Sequence, residues 1–295
     1  MKSERVAVLL TCFNRRQKTL ECLDSLFKQV FADDVSLHVY LVDDGSTDGT
    51  TEAVHRVYPQ VNVLQGTGNL FWTGGMWLAS REALKHQCDY HLWLNDDTNL
   101  YPDAVNQLLM TSYKLNEQGS KRAVVVGSIQ DPHTKQFAYG GMKRNRFHPC
   151  QFGEIRPGDE PQRCETMSGN CVLISKEVIK CVGGLDRTFR HFAADFDYGL
   201  RATRNGCTVW VAPGYLGACS PDSPEEQKQK LQQMTLREQL QKLTQPKGLQ
   251  LGGLTLQPFW EWKVFTQRHA GLFWFIFWLL PYRRLAWMGV SQLLK

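Results

Sequence analysis

The chain carries no C-x-x-C pair, no long tract of one charge and no internal repeat, and no apolar run reaches the roughly 20 residues that cross a bilayer. Each absence removes a class of protein. Its nine cysteines (12, 22, 88, 150, 164, 171, 181, 207 and 219) are odd in number and scattered, which argues against a disulfide framework or a zinc knuckle and for reduced thiols in a cytosolic protein. The opening "MKSERVAVLLTCFN" holds about five apolar residues before Thr11, too few for the core of a signal peptide. A net charge of +5 is a mild excess, and nothing resembles a helix-turn-helix, a zinc finger or an aromatic RNA-binding motif, so no nucleic-acid partner is expected. With 42% hydrophobic and 21% charged residues in 295, the bulk of the chain should fold, as one large α/β domain or two small ones.

What is present is an alternation. "RVAVLL" is a continuous apolar run with β-branched residues, the pattern of a strand buried on both faces, and the polar loop "TCFNRRQ" leaves it. Leu20, Leu23, Leu26 and Phe27 then recur at helical spacing between Thr19 and Gln29, and "LHVYLV" is strand-like again, ending on "DDGSTDGT". A helix over about 48–57, the strand "VNVLQ", a helix over about 76–86 opened by "GNLFWTGG", the strand "YHLWLN", a helix over about 102–116 and the strand "AVVVGSI" continue the series. "QFAYGGMKRNRF" reads as an antiparallel excursion, "CETMSGNCVLIS" as a strand, "HFAADFDYGLRATRNGC" as a helix stopped at Gly206, and "TVWVAP" as the last obvious strand. The series predicts an α/β fold with a Rossmann-like, open, mostly parallel sheet and flanking helices, in which ligands bind beyond the carboxyl ends of the strands.

Two of those strand ends carry paired carboxylates: Asp43 and Asp44 behind "VYLV", and Asp96 and Asp97 behind "HLWL". Capping and turn formation account for one acidic residue at each place. The second is electrostatically costly unless a cation or a hydroxyl-rich ligand faces it. Magnesium or manganese suits such a site, because these ions take one or two protein oxygens and complete their shell with water and phosphate.

"LLTCFNR", "LVDDGSTDGT", "GNLFWTGG", "LWLNDDT" and "HFAADFDYGLRA", in that order and spacing, resemble glycosyltransferase family 2, the inverting GT-A enzymes that use nucleotide sugars. The likeness runs over residues 5–217 and is greatest to the rhamnosyltransferase-like branch that builds bacterial lipopolysaccharide, capsule and other surface glycans. It implies transfer of a sugar from a UDP- or dTDP-sugar donor to a glycan or lipid-linked acceptor, with Mg2+ or Mn2+. It further implies nucleotide contact by Thr11, Phe13, Asn14 and Asp43 with Asp44 beside it, and a donor-sugar side formed by Asn69, Trp72, Gly74 and Gly75. Metal and diphosphate fall to Asp97 with help from Asp96, since Asn95 takes the first place of a strict D-x-D motif. The base implied is Asp195, in "AADFD", where Ala194 replaces the Glu of the family's E-D-x-D stretch. His191, which a helix would put on the face of Asp195, and Asp197 are candidates for the acceptor side, although Asp197 also suits an i,i+4 pair with Arg201. Close packing remains an alternative for Gly74, Gly75 and Trp72, and a structural histidine for His191.

Residues 1–217 are thus expected to form the catalytic domain and 218–295 a helical extension. Within the extension, "SPDSPEEQKQKLQQMTLREQLQKL" reads as a polar helix, and Ala270 to Leu280 as eleven apolar residues. Lys263, Arg268, Arg283 and Arg284, with Trp260, Trp262, Trp274, Trp278 and Trp287, surround that run as at a membrane interface; core packing or an oligomer contact is the alternative. The expected location is cytoplasmic, peripheral on the inner face of the membrane and facing anionic lipid; the oligomeric state is left open. A sugar-1-phosphate nucleotidyltransferase is disfavoured because no Gly-rich loop bearing Arg or Lys follows the first strand, and a noncatalytic membrane-recruited scaffold has only Ala194 in its favour.

Overall fold

The computed structural model describes residues 4–31, 34–191, 193–220, 238, 241, 249–251, 254–256 and 258–283. The polar helix expected over 220–243 lies outside the described residues but for its first residue, 238 and 241, and so do Arg284 and Trp287. The chain divides into two compact units, one of residues 1–143, 153–187 and 194–220, the other of residues 144–152, 188–193 and 221–295. The internal segments 144–152 and 188–193 thus group with the C-terminal residues, a division that a single cut after residue 217 does not express.

The chain opens with β1 (Glu4–Cys12), α1 (Arg16–Phe27), β2 (Val35–Asp43), α2 (Thr50–Val57), β3 (Asn62–Gln65), α3 (Phe71–Ala83), β4 (Tyr90–Leu94), β5 (Asn99–Leu100) and α4 (Ala104–Glu117). It continues with β6 (Ala123–Gln130), β7 (Phe137–Tyr139), β8 (Gly141–Asn145), β9 (His148–Glu154), β10 (Gln162–Cys164), β11 (Thr166–Met167), β12 (Cys171–Ser175), α5 (Lys176–Val182), α6 (Ala194–Arg204) and β13 (Thr208–Ala218). The main sheet has the order β10-β13-β6-β12-β4-β1-β2-β3, with β5 on β13 and β7 on β6, and β11, β8 and β9 form a second sheet of three strands.

Strands β3, β2, β1 and β4 are parallel neighbours, and β6 and β13 are parallel to each other. Between the two sets β12 runs antiparallel to both β4 and β6, so the sheet is mixed, which period alone does not reveal. Val6 to Leu10 have no exposed surface, as a central strand covered by helices on both faces requires. In α1 the buried positions Thr19, Cys22, Leu23 and Leu26 fall on one face at helical spacing.

Two boundaries differ from the sequence reading. Helix α3 starts at Phe71 rather than near Met76, so Gly74 and Gly75 are inside it. A Cβ on Gly75 would stand 2.1 Å from Thr11 Oγ1, so glycine is what lets this turn of α3 lie against β1. Helix α6 starts at Ala194, directly after Ala193, which takes the left-handed φ of 63°.

In the second unit, β14 (Leu249–Leu251) and β15 (Leu254–Leu256) pair antiparallel ahead of α7 (Phe259–His269). The apolar run beyond it is not one helix. Gly271, at φ 72°, interrupts the run, and two 3-10 turns, Gly271–Phe273 and Leu280–Tyr282, flank the short α8 (Trp274–Leu279). Indole N–H groups fasten the pair: Trp262 donates to the Phe277 carbonyl and Trp278 to that of Phe259, both at 3.1 Å. Buried Glu261 receives the Arg190 guanidinium at 2.9 Å, and the Arg144 guanidinium donates to the His269 carbonyl at 2.7 Å. A buried carboxylate without such a partner would be strongly destabilising.

Candidate active site

The loops leaving β1 and β2 are tied to one another. Cys12 and Asp43 are partners in register, and the next amide, Asp44 N–H, donates to the Cys12 carbonyl at 3.0 Å. Asn14 takes φ 51°, donates its N–H to Ser46 Oγ at 2.9 Å and accepts the Thr47 N–H on Oδ1 at 2.8 Å. Arg16 N–H donates to Asp48 Oδ2 at 2.9 Å. Along this edge Thr11 is half-buried on the strand, Phe13 has 52% of its surface exposed, and Asn14 is exposed.

The first acidic pair is buried and divides its work. Asp43 accepts the Ser46 N–H on Oδ1 at 2.8 Å and the Thr51 hydroxyl on Oδ2. Asp44 accepts Gly68 N–H on Oδ1 at 2.8 Å, and Leu70 and Phe71 N–H on Oδ2 at 2.8 and 3.0 Å. It therefore anchors the loop that carries exposed Asn69 and starts α3, the task a helix N-terminus sets for a carboxylate. Phe71 is held there at φ 54°. Backbone strain of this kind, at Asn14 and Phe71, is found where a site over-determines its own geometry.

The second acidic pair ends β4. Arg15 Nη1 lies 2.7 Å from Asp97 Oδ2 and 3.1 Å from Asp96 Oδ1, and Thr19 Oγ1 stands 3.5 Å from Asp96 Oδ2. Burial pushes the Asp96 carboxyl up to about 6, and the Arg15 charge holds it from going higher. Asn95 is no ligand in this arrangement, because its Oδ1 accepts the Trp72 indole N–H at 2.9 Å. Trp72 is half-buried, edge-on to Trp93 at 5.9 Å, and Trp93 meets Tyr198 at 4.9 Å, so the indole belongs to an aromatic stack that fixes its direction.

Asp195 opens α6. Its Oδ2 accepts Gly169 N–H and its Oδ1 accepts Phe196 N–H, both at 2.8 Å. Burial raises its pKa to about 6 against those two N–H bonds. Gly169 is closely packed in the site: a Cβ there would stand 2.5 Å from the Trp72 ring and 3.5 Å from the Asp195 Cβ. The next carbonyl, Asn170, accepts the Asn95 N–H at 3.1 Å. Through residues 169–170 the carboxylate of α6 and the acidic end of β4 are therefore held by one loop.

Asp197 has no exposed surface, and its Oδ2 receives Arg201 Nε at 2.7 Å, the i,i+4 pair that the sequence offered beside an acceptor contact. The helical face that His191 was to share with Asp195 is corrected, since His191 precedes α6 in an exposed bend. Arg15 and Gly169 were missed by sequence reasoning. Arg15 stands inside "TCFNRRQ" and Gly169 inside "MSGNC", and neither string says which strand end its residue faces.

Among the described residues no group of three or more His, Cys, Asp or Glu is placed to hold a metal ion. The donor set at β4 nevertheless fits a hard divalent cation that brings its own phosphate and water ligands. One positive nitrogen already sits within 3.1 Å of an oxygen from each carboxylate, a stand-in for such an ion.

A parallel half-sheet bearing acidic strand ends and a helix-borne, half-buried carboxylate is consistent with the GT-A fold of nucleotide-sugar enzymes. The chain belongs to glycosyl transferase family 2, whose match covers residues 7–183. It is 26% identical over 191 residues, 57% of this chain, to the N-acetylglucosaminyl-diphospho-decaprenol L-rhamnosyltransferase of Mycobacterium tuberculosis, and spans 61% of that protein's length. Similar folds are the S. aureus TarS 1-349 complex with UDP (TM-score 0.54, 14% identity, 76% of this chain and 62% of that one) and GalNAc-T7 with UDP, GalNAc and Mn2+ (TM-score 0.57, 12% identity, 74% and 44%).

Proposed function

We propose that this chain is an inverting hexosyltransferase that moves a sugar from a UDP- or dTDP-sugar to a glycan or lipid-linked acceptor in cell-surface polysaccharide synthesis. The observation that carries the reading is the loop at Gly169 and Asn170, which binds the desolvated Asp195 on one side and the Asn95-Asp96-Asp97 strand end on the other. A base and an anion-handling centre joined by one short loop are what single-displacement transfer requires.

In this reading Asp195, held with both oxygens bonded to backbone N–H, takes the proton of the acceptor hydroxyl on a remaining lone pair. The acceptor oxygen attacks the anomeric carbon in line, the bond to the nucleoside diphosphate breaks, and the electron pair leaves with the diphosphate. A divalent ion held by Asp97, with Asp96, would neutralise that departing charge. Phe13, Thr11, Asn14 and Asp43 receive the nucleoside, and the exposed Asn69 and the Trp72 face flank the donor sugar. No covalent enzyme intermediate is needed, and inversion follows.

Incubation with a panel of nucleotide sugars, an acceptor extract and Mg2+ or Mn2+ tests this. Donor turnover with an inverted anomeric product is expected, lost in Asp195→Asn and Asp97→Ala; undiminished transfer in both variants would sink the assignment. Pyrophosphate release from a nucleoside triphosphate would favour a nucleotidyltransferase, and absence of nucleotide binding in calorimetry a scaffold.

The proposal extends to place: the second unit meets anionic lipid at the inner face of the cytoplasmic membrane. No described helix is long and apolar enough to cross a membrane. Supporting a surface contact, Leu272 is 90%, Phe273 63% and Phe147 88% exposed, while Lys263 lies 5.2 Å from the Trp278 ring and the His148 ring 4.8 Å from that of Phe277. Exposed aromatics beside cations suit headgroup depth. Leu272→Ser with Phe273→Ser should release the protein from liposomes rich in anionic lipid; unchanged partitioning would remove this part.

A further inference from the structure

The acidic pair at the end of β4 is neutralised by this chain itself. Arg15 Nη1 bridges Asp97 Oδ2 at 2.7 Å and Asp96 Oδ1 at 3.1 Å, the place that a divalent ion using both carboxylates would take. The carboxylates are the fixed side of the bridge, 14% and 7% exposed, whereas the guanidinium side chain is 38% exposed and stands on a long stem. Its backbone is tied by hydrogen bonds. The Arg15 carbonyl accepts the Thr19 N–H at 2.9 Å and the Thr19 hydroxyl at 3.0 Å, and the next amide, Arg16, is held by Asp48. Only the side chain is left to swing.

Two adjacent, poorly solvated carboxylates are costly unless a cation faces them, and a guanidinium prefers the bidentate, more highly charged oxygens of a phosphate when these come within reach. We propose that Arg15 is a built-in counter-cation that competes with the divalent ion for Asp96 and Asp97, and that an arriving nucleoside diphosphate draws it off and so opens the pair to metal. Metal and nucleotide then strengthen each other's binding by one common factor, as linkage requires. Arg15 acts through the acidic pair and is a positioning residue. The identity of the diphosphate rests on the glycosyltransferase reading, but the competition is a property of the unliganded chain.

Calorimetric titration of Mn2+ at pH 7.5 into the full chain, with and without UDP or dTDP, tests it on wild type, Arg15→Gln and Arg15→Lys. Wild type should bind Mn2+ weakly alone and roughly tenfold or more tightly with nucleotide, a factor ordinary for coupled sites. Arg15→Gln should bind Mn2+ without nucleotide about tenfold more tightly than wild type, gain little more from nucleotide, and lose the gain when Asp97→Ala is added. Arg15→Lys should keep the wild-type coupling in part, because it keeps the charge. Equal or weaker nucleotide-free Mn2+ binding by Arg15→Gln overturns the proposal, as does absence of Mn2+ binding in every variant. A wild type that transfers no sugar, beside an Arg15→Gln that still gains Mn2+ affinity, overturns the glycosyltransferase reading and leaves the competition standing.

Discussion

At the carboxyl ends of β1, β2 and β4 the loops are cross-tied, two carboxylates are desolvated to a pKa of about 6, and backbone strain collects at Asn14 and Phe71. At the amino ends of the same strands Arg5, His38, His86, Lys176 and Lys180 line a cavity of about 1090 Å3. There the charges are settled: Asp89 accepts Lys176 Nζ at 2.7 Å and Arg5 N–H at 3.2 Å, and burial keeps His91 neutral by lowering it to about 4. Desolvated charge held in place by fixed N–H groups marks the end where chemistry is expected.

Substitutions at the two ends should therefore differ by orders of magnitude. The largest effect is expected from Asp195→Asn, which removes the proposed base and should lower the transfer rate by about 10²–10⁴ while the melting curve still reports a folded protein. Asp97→Ala comes next, at on the order of 10² in donor turnover, since it removes one group proposed to face the leaving charge. A pH–rate profile should fall through about 6 on the acid side, because both raised carboxylates gain protons there; a limb near the ordinary value of 3.8 would refute their desolvation. The stability these two groups contribute runs the other way, full below their unfolded value of 3.8 and lost as pH rises through about 6, which unfolding curves between pH 4 and 7 would read.

Gly75→Ala tests packing rather than chemistry. Its methyl would meet Thr11, so a loss of about 1–3 kcal/mol in denaturant unfolding is expected. At the amino end, His38→Ala and Lys180→Ala should leave transfer within about twofold of wild type. A large loss of transfer there would erase the contrast between the ends.

Much of this was legible early. A strand buried on both faces, such as Val6–Leu10, shows itself as an unbroken apolar run, and paired acids behind "VYLV" and "HLWL" show where that run meets solvent. The antiparallel insertion of β12 was not legible, because a buried strand has one pattern whichever way it points. Nor was the start of α3, which depends on Asp44 reaching 26 positions along the chain to the Leu70 amide.

By itself, the sequence determined the alternation of strands and helices, the carboxyl-end position of both acidic pairs, and the helix bearing Asp195, since period and composition are local properties. Only the tertiary structure decided which partner each charge keeps. Arg15 faces Asp96 and Asp97 from about eighty residues away, and Gly169 turns its N–H to Asp195 from 26. Such pairings are fixed by the packing of α1 and of the loop before β12 against the end of β4, and no local pattern encodes them.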